Sequence, residues 1–174
     1  MQFCYTLVMP KIESGNFKND ITIEQLLLSC KHVVEMREAG VTMNRAIRTL
    51  EFFADVYAKI LKGGSRTPNH VDQVALWSIK ARKLRLQNPV VKPRDHFIVE
   101  HGTPRRGFAL MVLKLYQTGK LNKKSMGRLV NKYWRLAVIT LEEDARLNKI
   151  ARTEIFHTPD ERWACAGIKF PKQV

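Results

Sequence analysis

The chain has 174 residues, 45% of them hydrophobic, with 30 Lys or Arg against 16 Asp or Glu and a formal net charge of +14. Length and apolar content suit one domain with a real core. The charge exceeds what solubility needs and points to a polyanion, with nucleic acid first and an anionic membrane surface second. No apolar run approaches the ~20 residues of a membrane span, and MQFCYTLVMPK lacks the basic start of a signal peptide. The expected setting is therefore cytoplasmic, without membrane attachment. Cys4, Cys30 and Cys165 are odd in number and far apart, with no CxxC pair. Neither a zinc ribbon nor a disulfide framework is expected, and the three read as small buried hydrophobes in a reducing compartment.

In chain order, residues 3–9 (FCYTLVM) read as a short strand or extended arm ending at Pro10, followed by a polar loop over 11–20. Thr22-x-x-Gln25 reads as a capping box. The helix behind it carries Leu26, Leu27, Leu28, Val33, Val34 and Met36 and stops at Gly40. A second helix from near Thr42 spaces Ala46, Leu50, Phe53, Val56, Tyr57 and Leu61 helically and ends at Gly63-Gly64, completing a helical hairpin. After a loop at Ser65–Asn69, a third helix is expected over 70–87, with Val71, Val74, Trp77 and Ile79 on it. It carries the basic run Lys80, Arg82, Lys83 and Arg85 and is stopped by Asn88-Pro89.

Phe97-Ile98-Val99 has strand character and leads into Glu100-His101-Gly102. Thr103-Pro104 then predicts an N-cap with proline at the first helical position, opening a helix with Phe108, Leu110, Leu113 and Tyr116 that ends at Gly119. A further helix is expected from Asn122 to Trp134, a strand at Leu136-Ala137-Val138-Ile139, and a second capping box at Thr140-x-x-Glu143. The helix it opens holds Asp144, Leu147 and Asn148. The tail shows a turn at Thr158-Pro159-Asp160 and a last strand at Gly167–Phe170. The expected fold is α+β and mostly helical. A helical region (1–94) supports a C-terminal unit (95–174), the two forming one compact body.

Between His101 and Leu141 there is no Asp or Glu, yet nine Lys or Arg: Arg105, Arg106, Lys114, Lys120, Lys123, Lys124, Arg128, Lys132 and Arg135. Glu100-His101 stands at one edge and Glu142-Glu143-Asp144 at the other. Such a basic stretch gathers a polyanion. A neutral imidazole with a pKa near ~6.5 accepts a proton from water. A hard cation on carboxylate oxygens neutralises charge developing on phosphate. Arg105 and Arg106, in the first turn of a helix, are the strongest phosphate-binding candidates. Lys80, Arg82, Lys83 and Arg85 would grip the backbone at a distance, together with Lys123, Lys124, Arg128 and Arg135.

The words VEHGTP and RLAVITLEEDARLN, in that order, resemble the His-Me finger (HNH) endonucleases. The resemblance covers roughly residues 95–150 and implies a ββα unit binding one divalent metal, Mg²⁺ or Mn²⁺. On it, His101 falls at the general-base position and Asp144 at the helix metal-ligand position. Glu100 either ligates metal, orients His101 or faces solvent, and Asn148 is a further candidate ligand. Arg135 stands where the family often has its middle Asn. Asp95-His96 is an alternative Asp-His pair; on a strand, His96 and Glu100 share one face and His101 takes the other. His32, His70 and His157 read as surface, capping or loop residues. Trp77, Trp134 and Trp163 can stack on bases, with core packing the simpler reading for the first two.

The function these readings imply is metal-dependent hydrolysis of DNA, preferred over RNA, with His101 activating water. A homodimer would suit two-strand cutting. The alternative is a non-catalytic basic nucleic-acid-binding protein, a regulator or architectural factor. There His101 is structural and Asp144 a first-turn carboxylate favoured by the helix dipole. A third reading is a partner or inhibitor whose basic face meets an acidic protein.

Overall fold

Thr22 opens the first helix, α1 (Ile23–Glu38), through both halves of the expected capping box. The Gln25 amide N–H donates to Thr22 Oγ1 at 3.3 Å, and the Thr22 N–H donates to Gln25 Oε1 at 2.9 Å. The computed structural model describes residues 21–63, 71–89 and 92–171. The arm expected over 3–9, the loops at 11–20 and 65–69, and His70 lie outside the described residues. Beyond α1, Gly40 adopts φ +83°, a left-handed value that ends the helix where expected. The second expected helix comes as two pieces, α2 (Met43–Ala46) and α3 (Arg48–Leu61), joined at Ile47, which is fully buried.

These helices share one core with the acid-free stretch. That stretch forms α5 (Arg105–Gln117) and α6 (Lys123–Tyr133). Leu26, Cys30, Val33, Leu50 and Ala54 meet Phe108, Val112, Met126 and Val130 in a single apolar cluster. Cys30 is buried as expected of a small hydrophobe, whereas Cys165 is exposed. Thr103 does not cap α5: its hydroxyl donates to the Tyr133 carbonyl at 2.7 Å, and Pro104 holds the cap position without a side-chain bond.

Among the described residues the sheet has two antiparallel strands, β1 (Phe97–His101) and β2 (Leu136–Thr140), in a register running from Phe97 opposite Thr140 to His101 opposite Leu136. Residues 76–78 lie along the other side of β2. The Val138 N–H donates to Leu76 O at 2.8 Å and the Ser78 N–H to Val138 O at 2.9 Å. The third expected helix is therefore shorter than its pattern over the described residues, α4 (Ile79–Gln87), preceded by a 3-10 turn at Val71–Gln73. Two effects override the helical pattern. Pairing with β2 satisfies backbone groups that a helix would otherwise satisfy. Trp77 gains an edge-on contact with Phe97, ring centroids 5.4 Å apart. Ser78 then caps α4, accepting from the Ala81 N–H at 3.0 Å.

α7 (Leu141–Ala151) follows β2 through the Thr140/Glu143 capping box, again as expected. Thr158-Pro159 is a helix start rather than a plain turn, opening α8 (Pro159–Cys165). The last strand expected at Gly167–Phe170 is not one. The Ile168 N–H donates to Trp163 O at 3.0 Å, and Phe170 packs on the Trp163 ring. Strand alternation sends Phe97 and Val99 with Leu136 and Val138 towards α4. Ile98, Ala137 and Ile139 point the opposite way, onto Leu147 of α7 and Trp163 of α8. The fold is α+β and mostly helical, and among the described residues no helix is long and apolar enough to cross a membrane.

Candidate nucleic-acid interface

Glu100 and His101 are neighbours on β1, so their side chains leave opposite faces of the strand. His101 turns towards α3. Its Nε2 lies 2.9 Å from Asp55 Oδ1, and its ring meets the edge of Trp134. Asp55 also accepts from Trp134 Nε1 at 3.2 Å and from the Lys59 ammonium at 2.8 Å. Burial alone would raise the Asp55 pKa. Hydrogen bonds and charges from His101 and Lys59 outweigh it and hold the carboxyl well below the usual range.

Glu100 turns towards α7 and α8. Its Oε1 accepts from Arg162 Nη1 at 2.8 Å. Arg162, only 1% exposed, also donates to His101 O at 2.8 Å and Ala151 O at 3.1 Å. Asp144 lies within the electrostatic reach of this pair. Burial, then the Glu100 charge, raises its pKa, while Arg162 and a 2.9 Å hydrogen bond from Asn148 Nδ2 pull the other way.

Three of the four residues expected around a metal stand together, and His101 stands apart from them. Glu100, Asp144 and Asn148 share a neighbourhood, but the cation serving it is a buried guanidinium, permanently charged and already on Glu100. Asn148 presents its amide N–H₂ to Asp144, which is a donor and not a ligand atom. His101 is on the far face, bound to Asp55. Among the described residues no group of three or more His, Cys, Asp or Glu is placed to hold a metal.

The basic residues separate into those that line concave surface and those that do not. A cleft of about 670 Å³ lies between the end of α3, residues 73–76, the end of α6, the start of β2 and the start of α8. Lys59, Lys62, Lys132 and Arg135 line it, with Asn131 and Trp134. Asp160 is the one carboxylate among its described lining residues, and it accepts from Arg135 Nη1 at 2.8 and 2.9 Å. Lys62 Nζ donates to Asn131 Oδ1 at 2.9 Å. A second cavity of about 480 Å³ is lined by Val74, Ala75, Trp77, Arg82, Arg85 and Leu86. Of the residues named from the sequence, Lys132, Trp134, Arg135, Trp77, Arg82 and Arg85 thus line concave surface. Arg105, Arg106, Lys123, Lys124 and Arg128 are exposed but line neither cavity. Lys83 is exposed outside both, and Lys80 is bonded to Glu142.

Sequence reading missed Asp55, Lys59, Lys62 and Asn131. The signal available was thin. Asp55 and Lys59 are four apart and Lys59 and Lys62 three apart, so each pair shares a helix face, and Lys132-x-x-Arg135 repeats the basic spacing. Nothing local says that the ends of α3 and α6 meet. Comparison with protein-family models, curated proteins and solved structures finds no match to this chain.

Proposed function

We infer that this chain binds nucleic acid through the basic cleft between α3, α6 and α8 and does not cut it at His101. The observation carrying this reading is the cleft itself. Lys62, Lys132, Arg135 and one indole face a concave volume of about 670 Å³ with a single carboxylate among the described lining residues, while Lys59 is held on Asp55. Cations in a groove neutralise phosphates and release counterions, and an aromatic wall offers a stacking surface that accepts any base. The net charge of +14 supplies long-range attraction for the same partner.

Metal-dependent cleavage keeps one supporting feature, the order β1, β2, capped α7 with His101 ending the first strand. That chemistry needs His101 and Asp144 on one cleft, whereas His101 leaves β1 towards Asp55 of α3 and Asp144 stands on α7, which packs on the other face of the sheet. The deciding experiment incubates the protein with plasmid and with labelled DNA and RNA, in Mg²⁺, Mn²⁺ or EDTA. Binding that weakens with salt, with no cleavage in either metal, is the expected result. Metal-dependent cleavage lost in His101→Ala with binding intact would overturn the non-catalytic reading. No binding to either nucleic acid would overturn the whole proposal.

A further inference from the structure

The two cavities share a wall. Val74 and Ala75 line both, so the clefts adjoin across residues 74–75. Each also contains one tryptophan at its border, and both rings are fixed by their own N–H. Trp134 Nε1 donates to Asp55 and Trp77 Nε1 to the Val74 carbonyl at 2.9 Å. The remaining ring surface of each is half-buried, neither sealed in the core nor loose on the surface. Cations flank both: Lys62, Lys132 and Arg135 on one side of the wall, Arg82 and Arg85 on the other.

Resting on the nucleic-acid reading above, we propose that the two clefts form one path for a single strand, which crosses Val74-Ala75 and places a base beside Trp134 and another beside Trp77. The class of ligand follows from shape. A duplex keeps its base faces stacked inside and presents a convex ridge of phosphates, which two adjoining concavities do not match. A single strand turns its bases out, so that aromatic platforms and backbone cations can alternate along it. Each cavity falls in the ~300–1,000 Å³ range of sites that enclose a small ligand, the scale of a nucleotide or two rather than a helix. Arg135 is held by Asp160 in the free protein. A phosphate competing for that guanidinium would meet an exchange of partners rather than a bare charge.

The test is fluorescence anisotropy with labelled dT12 and rU12, a 12-base-pair duplex and the tetramer dT4, on the whole protein. Single strands are expected to bind at least tenfold tighter than the duplex, with quenching of intrinsic tryptophan fluorescence. Lys132→Glu in one cleft and Arg82→Glu in the other, both at exposed positions, should each weaken dT12 binding about tenfold. Each should also lower the salt slope by ~0.7, the single-strand value per phosphate. Arg105→Glu, which lines neither cleft, should cost clearly less. The tetramer matches two adjoining clefts of a nucleotide or two each, so it should feel both reversals. Equal or tighter duplex binding, or dT12 affinity unchanged by Arg82→Glu, overturns the single-strand path and leaves nucleic-acid binding standing. No binding to any of the four probes removes both. Circular dichroism of each variant establishes that it is folded before affinities are compared.

Discussion

Asp55→Asn isolates what holds His101 in place. The substitution keeps the shape of the side chain and an oxygen for Trp134 and His101, but it removes the countercharge of Lys59. That ammonium is 2.8 Å from Asp55 and its side chain only 8% exposed, so water cannot replace the lost partner. Breaking a buried pair from one side costs about 3–5 kcal/mol. For a domain of this size each kcal/mol moves Tm by ~2–4 °C, giving a fall of roughly 6–20 °C. Adding Lys59→Met removes the orphaned charge and should return about 1–3 kcal/mol. Asp55 has its carboxyl pKa depressed by folding, so its contribution is fully present above the unfolded value near ~3.9 and is lost as pH falls below it. The gap between wild type and Asp55→Asn should therefore stay constant from neutral pH to about 4 and narrow below that. Urea unfolding followed by circular dichroism, at pH 7 and through the acid range, measures all three quantities. A loss under ~1 kcal/mol, the value of an exposed pair, would refute the reasoning, as would a double variant no more stable than the single. Either would mean that Lys59 reaches water and that His101 is not locked by this network.

Asp144→Asn should stabilise the fold at pH 7. The raised pKa means that ionising Asp144 costs stability as pH rises through its titration, so the gain should vanish below the ordinary carboxyl range, which thermal melts at pH 3 and pH 7 would reveal. Were Asp144 a metal ligand instead, the variant would lose a Mg²⁺-dependent rise in Tm that the wild type shows. Gly102→Ala should cost about 1–3 kcal/mol in urea unfolding, because its Cβ would stand 2.3 Å from Pro159 Cβ and push the start of α8 off β1. Asp160→Asn frees Arg135 and removes the cleft's carboxylate, and should tighten dT12 binding severalfold in anisotropy at low salt.

What the sequence disclosed was local. Capping boxes need only four residues, and Thr22/Gln25 and Thr140/Glu143 both form as read. The same rule shows its limit at the two Thr-Pro words. It named Thr103 as a cap, where the hydroxyl instead serves Tyr133 across the fold. It passed over Thr158, where the N-cap with proline following does form. A cap competes with any distant carbonyl, and the identity of the winner is a tertiary fact. The segment 74–78 failed for the same reason: its apolar spacing fits a helix, but β2 offered a ladder. The candidate site was legible as a surplus of charge, not as a place. Arg82, Arg85 and Arg135 were visible one by one. Their grouping with Lys59, Lys62 and Lys132 depends on how α3, α4 and α6 meet. Glu100-His101 and Asp144 were conspicuous as a motif, yet strand alternation parts the first two onto different faces, and Arg162, 62 residues beyond Glu100, supplies the charge that meets it.

That arginine also sets how the molecule opens. α8 has seven residues, too few to hold itself helical in water. Its Arg162 reaches carbonyls at the ends of β1 and α7 as well as Glu100, so peeling α8 away would strand those groups and pull a fixed charge out through the core. Fraying of this short helix is thereby tied to rupture of the sheet. Its amides should exchange at the rate of global unfolding and not at that of a loose end. The wall that Thr158, Pro159 and Asp160 give the basic cleft thus has the persistence of the core, although it is built from the shortest of the C-terminal helices.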